Sequence, residues 1–227
     1  MFATTLVCAA AVLPGPWGST QLPPVGASHP GSLGDPMRGA QLARRFDCVR
    51  CHTEPRSGRG INVPPMLDGT GSRCRPEWLQ RYLVAPEALR YASEGRRPRI
   101  RMPGIRGTLQ DARDLAAYLT TLRDTVRVPE SPGAETWAED AELVAEGLQL
   151  FQQYQCRGCH ALEGRGNEIG PALDQVAERR PASYVMALLR APQEVIPRTP
   201  MEDKQLWEDE ARALTAYLMT LSAGVHR

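Results

Sequence analysis

The chain has 227 residues and a formal net charge of +1, a length that suits two small domains better than one large one. Only 6% of the residues are aromatic, too few for side chains alone to close two generous cores. No disulfide framework can be read, because four of the six cysteines fall into one repeated motif, and no nucleic-acid partner is expected.

The near-zero charge conceals an asymmetry. Residues 35–127 hold 18 Arg against 10 acidic residues, a net of +8, while residues 128–227 hold 9 Lys+Arg against 16 acidic residues, a net of −7. Lys204 is the one lysine, a bias that a GC-rich coding sequence accounts for. The opposite signs of the halves imply a strong dipole and different partners for the two.

Residues 1–34 read as a signal-like and flexible lead-in. Their apolar run, residues 6–13, is too short to span a membrane. It resembles a signal-peptide core, although no Lys or Arg precedes it. Val25-Gly26-Ala27 offers small residues suited to cleavage, and Ala10 or Ala11 is a second option. Cys8, in Leu6-Val7-Cys8, matches a lipidation site poorly. Residues 14–34 are rich in Pro, Gly and Ser.

A first domain is expected over 35–123. Asp35 can cap a helix and Pro36 suits its first turn; that helix runs through Gly39, Leu42 and Phe46. A loop follows, then a second helix over 76–85 with Trp78, Leu79, Tyr82 and Leu83 on its apolar side. An Arg-rich loop leads to Met102-Pro103. Thr108-Leu109-Gln110-Asp111 has the form of a capping box opening a helix with Leu115, Tyr118, Leu119 and Leu122. Residues 124–138, with Pro129, Pro132 and Gly133, read as a linker.

A second domain, 139–227, repeats the plan. A helix from about residue 139 carries Leu143, Gly147, Leu150 and Tyr154. Gly170-Pro171-Ala172-Leu173 echoes Pro64-Pro65-Met66-Leu67. Residues 181–191 repeat the middle helix, Met201 follows Pro200, and a last helix carries Leu214, Tyr217, Leu218 and Leu221. Ala117-Tyr118-Leu119 and Ala216-Tyr217-Leu218 are one triplet written twice. Two tandem copies indicate a pair of domains rather than a solenoid.

Each copy carries one pentapeptide, Cys48-Val49-Arg50-Cys51-His52 and Cys156-Arg157-Gly158-Cys159-His160, 108 residues apart. C-x-x-C-H is the signature of covalent haem attachment. Two thiols on one turn can each add to one of the two vinyl groups on a haem edge, and the adjoining imidazole is carried under the ring to the iron. The alternative is a zinc or redox Cys pair that happens to precede a His; a second copy weakens it. Haem attachment of this type takes place outside the bacterial cytoplasm, so a periplasmic or otherwise extracytoplasmic location is expected.

With both motifs, both closing helices and both Met loops in place, the chain resembles the class I cytochromes c over residues 35–221, and in architecture a two-domain dihaem cytochrome c. The resemblance implies an all-α fold: two tandem domains, each a small helical fold wrapped around one covalent haem, two haem c groups in all. It implies that first and last helices cross at Gly39 with Tyr118 and at Gly147 with Tyr217. It implies His52 and His160 as proximal iron ligands, Met102 and Met201 as distal thioether ligands, and the carbonyls of Pro65 and Pro171 as acceptors for the proximal imidazoles. Met66 aligns with Ala172 and reads as haem packing. Met186 and Met219 fall inside helices and read as core. The remaining histidines, His29 and His226, lie in the lead-in and the tail, so a second imidazole on either iron is not expected.

Cys74 fits none of these roles. Some thiosulfate-oxidising dihaem cytochromes use a Cys thiolate as sixth ligand, but Cys74 aligns just before the middle helix, where a surface position is expected. Arg90, Arg96, Arg97, Arg99, Arg101 and Arg106 gather around Met102, a collar suited to an acidic redox partner. Glu202, Asp203, Glu208, Asp209 and Glu210 form an opposite collar around Met201. These readings converge on a dihaem cytochrome that moves single electrons between extracytoplasmic redox partners, as a free carrier or as the cytochrome subunit of a respiratory enzyme and membrane-associated through it. The alternative is a dihaem redox enzyme, of thiosulfate dehydrogenase or peroxidase type, with one substrate-accessible haem.

Overall fold

The computed structural model describes residues 34–52, 66–87, 102–197 and 199–222. Among them there is no β-strand; one isolated bridge pairs Leu162 with Arg165. Nine α-helices follow in order: α1 Pro36–Arg45, α2 Thr70–Arg73, α3 Pro76–Val84, α4 Leu109–Thr121, α5 Ala141–Gln153, α6 Val176–Arg179, α7 Ala182–Arg190, α8 Pro192–Val195 and α9 Glu208–Met219. No helix among these residues is long and apolar enough to cross a membrane.

The helix starts are written locally. The Asp35 carboxylate accepts the amides of Met37 and Arg38, with Pro36 in the first turn of α1. Thr108 and Asp111 form a full capping box at α4. Asp140 caps α5 by accepting from Glu142 and Leu143. At α9 the Glu210 carboxylate accepts the Trp207 amide at 2.8 Å, and Glu208, Asp209 and Glu210 all lie in the first turn, where the helix dipole favours negative charge.

Each repeat closes when its first helix crosses its last. At Gly39 an added Cβ would stand 2.0 Å from the Asp114 carbonyl oxygen and 2.7 Å from Tyr118 Cβ. At Gly147 it would stand 2.0 Å from the Ala213 carbonyl oxygen and 2.8 Å from Tyr217 Cβ. Only glycine permits backbones this close, so both expected crossings are present. Against each crossing lies a core. In the first repeat Leu42, Trp78, Leu79, Leu83, Leu115 and Leu119 are buried together, with Tyr82 stacked on Trp78 at 4.7 Å. In the second Leu150, Phe151, Leu162, Val185, Leu214 and Leu218 do the same. Met219 is buried in that core and Met186 packs against it, as their helical positions led us to expect.

The segment between the repeats is packed, although its composition reads as turn. Val128 is buried with Tyr184, Ala187 and Val195. Ala134 opens a 3-10 turn, Ala134–Glu139, and is buried in the second core.

Polar clamps secure the α1–α4 crossing. Asp114 is almost fully buried and accepts from the Asp35 amide and the Gln110 side chain, each at 2.8 Å, while Arg38 pairs with both Asp111 and Asp114. Burial opposes ionisation of Asp114, but the Asp35 amide, Arg38 and Gln110 outweigh it and hold the carboxyl below its ordinary range. The Thr108 amide and hydroxyl, with Arg38, lower Asp111 likewise. A carboxylate whose pKa is depressed by folding adds stability above its unfolded pKa and loses it as pH falls through the folded value. Acid should therefore loosen this crossing below about pH 4, and Asp114→Asn should flatten the dependence of melting temperature on pH in that range. Gly147→Ala should destabilise the second domain by about 1–3 kcal/mol, the range for overpacking a close contact, read as a lower midpoint in denaturant.

Candidate functional site

The two Cys-x-x-Cys-His motifs begin where α1 and α5 end. In both repeats the helix stops at an aromatic cap, Phe46 or Tyr154. The next residue adopts the left-handed conformation: Asp47 at φ 51° and Gln155 at φ 52°. A 3-10 turn follows, Cys48–Arg50 or Cys156–Gly158. The amides of His52 and His160 then donate to the carbonyls of Cys48 and Cys156, at 3.1 and 3.0 Å, so each histidine follows its cysteines round the same turn. Cys48 and Cys156 are half-buried, while Cys51 and Cys159 are exposed. Burial pushes the thiols of Cys48 and Cys156 up.

His160 is held from two sides. Its Nδ1 lies 2.7 Å from the Pro171 carbonyl oxygen, which fixes the Nδ1–H tautomer and leaves the Nε2 lone pair to serve as a metal donor. The ring lies against Gly170, where a Cβ would stand 2.3 Å from His160 Cε1 and 2.6 Å from Nδ1. This cradle fits an imidazole that must keep one orientation beneath a flat ligand. The donor set fits haem as well: one oriented imidazole, two thiols on one turn, and a neutral thioether on a later loop. Among the described residues no group of three or more His, Cys, Asp or Glu is placed to hold a metal ion.

The loop bearing Pro171 has its own clasp. Arg179 donates to the carbonyls of Ala172, at 2.6 Å, and Asp174, and burial lowers its pKa. Arg73 donates to the carbonyls of Met66 and Asp68 in the same manner, so the clasp is repeated. Pro65, the expected partner of His52, lies outside the described residues.

Both methionines lie on loops that lead into the closing helices. Met102 is half-buried and packs on the first core; its loop is tied back by the Ile105 amide, which donates to Leu83 at 2.8 Å. Met201 is half-buried, its carbonyl accepting from Gln193 at 2.7 Å. Lys204, on the same loop, pairs with Glu202 at 2.8 Å. Met66 is exposed.

Two expectations are corrected. Cys74 is not at the surface: it is half-buried, packs against the first core, and its sulfur accepts from Arg180 at 3.0 Å. It lies where the two repeats meet, a contact no local pattern announces. Glu210 is not part of an open collar, because its carboxylate accepts from the Trp207 amide and the Tyr154 hydroxyl, both at 2.8 Å. Glu202, Asp203, Glu208 and Asp209 are exposed. Of the Arg collar, Arg106 is exposed, and Arg90, Arg96, Arg97, Arg99 and Arg101 lie outside the described residues. The roles of Gly170, Arg73 and Arg179 were not read from the sequence; the shared offset of Arg73 and Arg179 from the two prolines was the available signal.

Two small helical units, each with a Cys-x-x-Cys-His turn at the end of its first helix and a methionine loop ahead of its last, define a c-type haem protein. The family model for cytochrome c matches residues 36–123 and 144–222, most of the chain, and the chain belongs to the cytochrome c family. Covalently bound haem c and a role in haem electron transfer come with that membership. The chain is also 33% identical over 105 residues to cytochrome c oxidase subunit 2 of Alkalihalophilus pseudofirmus, a match covering 40% of this chain and 30% of that protein. The chain thus spans about a third of that relative's length.

Gly170→Ala should displace the His160 ring. The expected readout is a change in the spin-state bands of the bound haem.

Proposed function

We propose that the chain is a dihaem cytochrome c, with one haem in each of two domains spanning residues 35–123 and 139–227, that moves single electrons between redox partners outside the cytoplasm. The observation that carries this reading is the duplicated attachment turn. In both repeats an aromatic cap, a left-handed residue and a 3-10 turn present two cysteines and a histidine in the same way.

In this reading Cys48 and Cys51 hold the first haem and Cys156 and Cys159 the second, with His52 and His160 as proximal ligands and Met102 and Met201 as distal ones. Bound haem supplies an iron that changes charge by one electron. The chain's residues do the rest. Pro171 and Gly170 keep the His160 ring from turning when the charge changes, and Pro65 plays the proline's part for His52. The methionine thioethers, soft and neutral, favour the reduced state and raise the potential relative to a second imidazole. The half-buried Cys48 and Cys156, beside the exposed Cys51 and Cys159, would each supply one of the two attachment bonds.

Partner choice follows from charge. The arginines that gather before Met102 in the sequence suit an acidic partner, and Glu202, Asp203, Glu208 and Asp209 suit a basic one at the second domain. The likeness to an oxidase subunit supports a second reading, in which the chain delivers electrons to a terminal oxidase of a respiratory chain and stays bound to it. Co-purification of an oxidase with the chain would favour that arrangement over a free carrier.

The test is iron content together with the near-infrared sulfur-to-iron band of the oxidised holoprotein. Two irons per chain and a band contributed by both sites are expected, half of it lost in Met102→Ala and half in Met201→Ala. One site without the band, binding small ligands readily, would favour the redox-enzyme reading.

A further inference from the structure

Three arginines cross the boundary between the repeats: Arg81 of α3 pairs with Glu178 at 2.9 Å, and Arg75 and Arg180 reach backbone carbonyls in opposite directions. Arg75, just before α3, donates through Nε to the carbonyls of Ala177 at 2.7 Å and Arg180 at 3.1 Å, at the end of α6, where helix carbonyls lack partners. Arg180, just before α7, donates to the Arg73 carbonyl at 2.8 Å, at the end of α2. Its guanidinium also lies 5.8 Å from the Trp78 ring centroid and 5.2 Å from that of Tyr184, one aromatic from each repeat. A backbone bond runs beside them, from the Arg75 amide to the Arg179 carbonyl at 3.0 Å. Glu135 closes the corner by pairing with Arg75 while accepting the Ala182 amide at 3.0 Å.

This junction adjoins both proximal loops. From His160 the hydrogen bonds run to Pro171 and, through its neighbour Ala172, to Arg179. The Arg179 carbonyl receives the Arg75 amide, and two residues earlier Arg73 clasps Met66 and Asp68. The loop behind one histidine is thus joined to the equivalent loop of the other repeat by hydrogen bonds and short backbone links.

We propose that Arg75 and Arg180 are positioning residues that fix the two domains back to back on their proximal sides, so that an electron entering one domain passes to the other within the chain. The step moves one electron and nothing else: the donor site goes from ferrous to ferric, the acceptor site from ferric to ferrous, with no bond broken and no proton moved. Such transfer depends steeply on distance, so a loosened junction slows it without altering either site. The proposal rests on the dihaem reading.

The experiment uses the full-length holoprotein and the variants Arg75→Gln and Arg180→Gln, with Arg180→Lys as the variant to read if Arg180→Gln fails to fold. Iron content comes first; one iron per chain overturns the dihaem reading itself. With two irons present, hydrogen exchange at the Arg75 amide reports the junction, and equilibration between the sites after rapid partial reduction reports the transfer. The variants are expected to exchange that amide faster and to equilibrate about tenfold or more slowly, with the absorption spectrum and potential of each site unchanged. An unchanged equilibration rate overturns the proposal, whether or not the amide is released, and so does a slowed rate accompanied by shifted potentials.

Discussion

Everything at the two sites depends on how closely the first and last helices of each repeat approach. Gly39 and Gly147 let a backbone pass within contact distance of a carbonyl on the opposite helix. That crossing settles where the attachment turn, at the end of one helix, stands relative to the methionine loop, at the start of the other. Contacts made through side chains would tolerate sliding; contacts between backbones do not. The fold thereby fixes the span between proximal and distal loops before any ligand is considered. The two repeats secure the crossing differently, the first with a buried Asp114 and an arginine pair, the second with Phe151 tilted against Tyr217 at 5.3 Å.

Much of this was legible in the sequence because its determinants are local. A cap such as Asp35 or Thr108 acts within three residues, and the glycines and tyrosines of the crossings recur at matching places in the two copies. Other features depend on partners far away in the chain. Asp47 and Gln155 adopt the left-handed conformation; aspartate visits it on occasion, but glutamine gives no sign of it. Gly170 reads as part of a turn until a histidine ring is seen lying on it. The segment holding Val128 and Ala134 has the composition of a linker, but tertiary packing buries both residues. Cys74 and Arg180 meet across more than a hundred residues, and nothing periodic connects them.

The repeats also differ in a way that bears on function. Their offset is 108 residues at the attachment motifs and 99 at Tyr118 and Tyr217, so the second domain spans the same interval with a shorter stretch. Part of the difference falls in the arginine-rich stretch before Met102, which has no equivalent ahead of Met201. Duplication preserved the turn that holds a haem and left free to diverge the loops that a partner would meet, in both length and sign of charge.

The packed segment between the repeats carries one more implication. Two domains joined by a short connection meet at an effective concentration on the order of millimolar without any affinity of their own. Here Val128, Ala134 and Glu135 hold that connection against the second domain and the junction, so the search for the bound arrangement is narrower still. A handful of hydrogen bonds, two ion pairs and one arginine near two rings, too few to assemble separate proteins, is then enough to keep the pair docked. A duplicated gene could have acquired such a junction through very few substitutions.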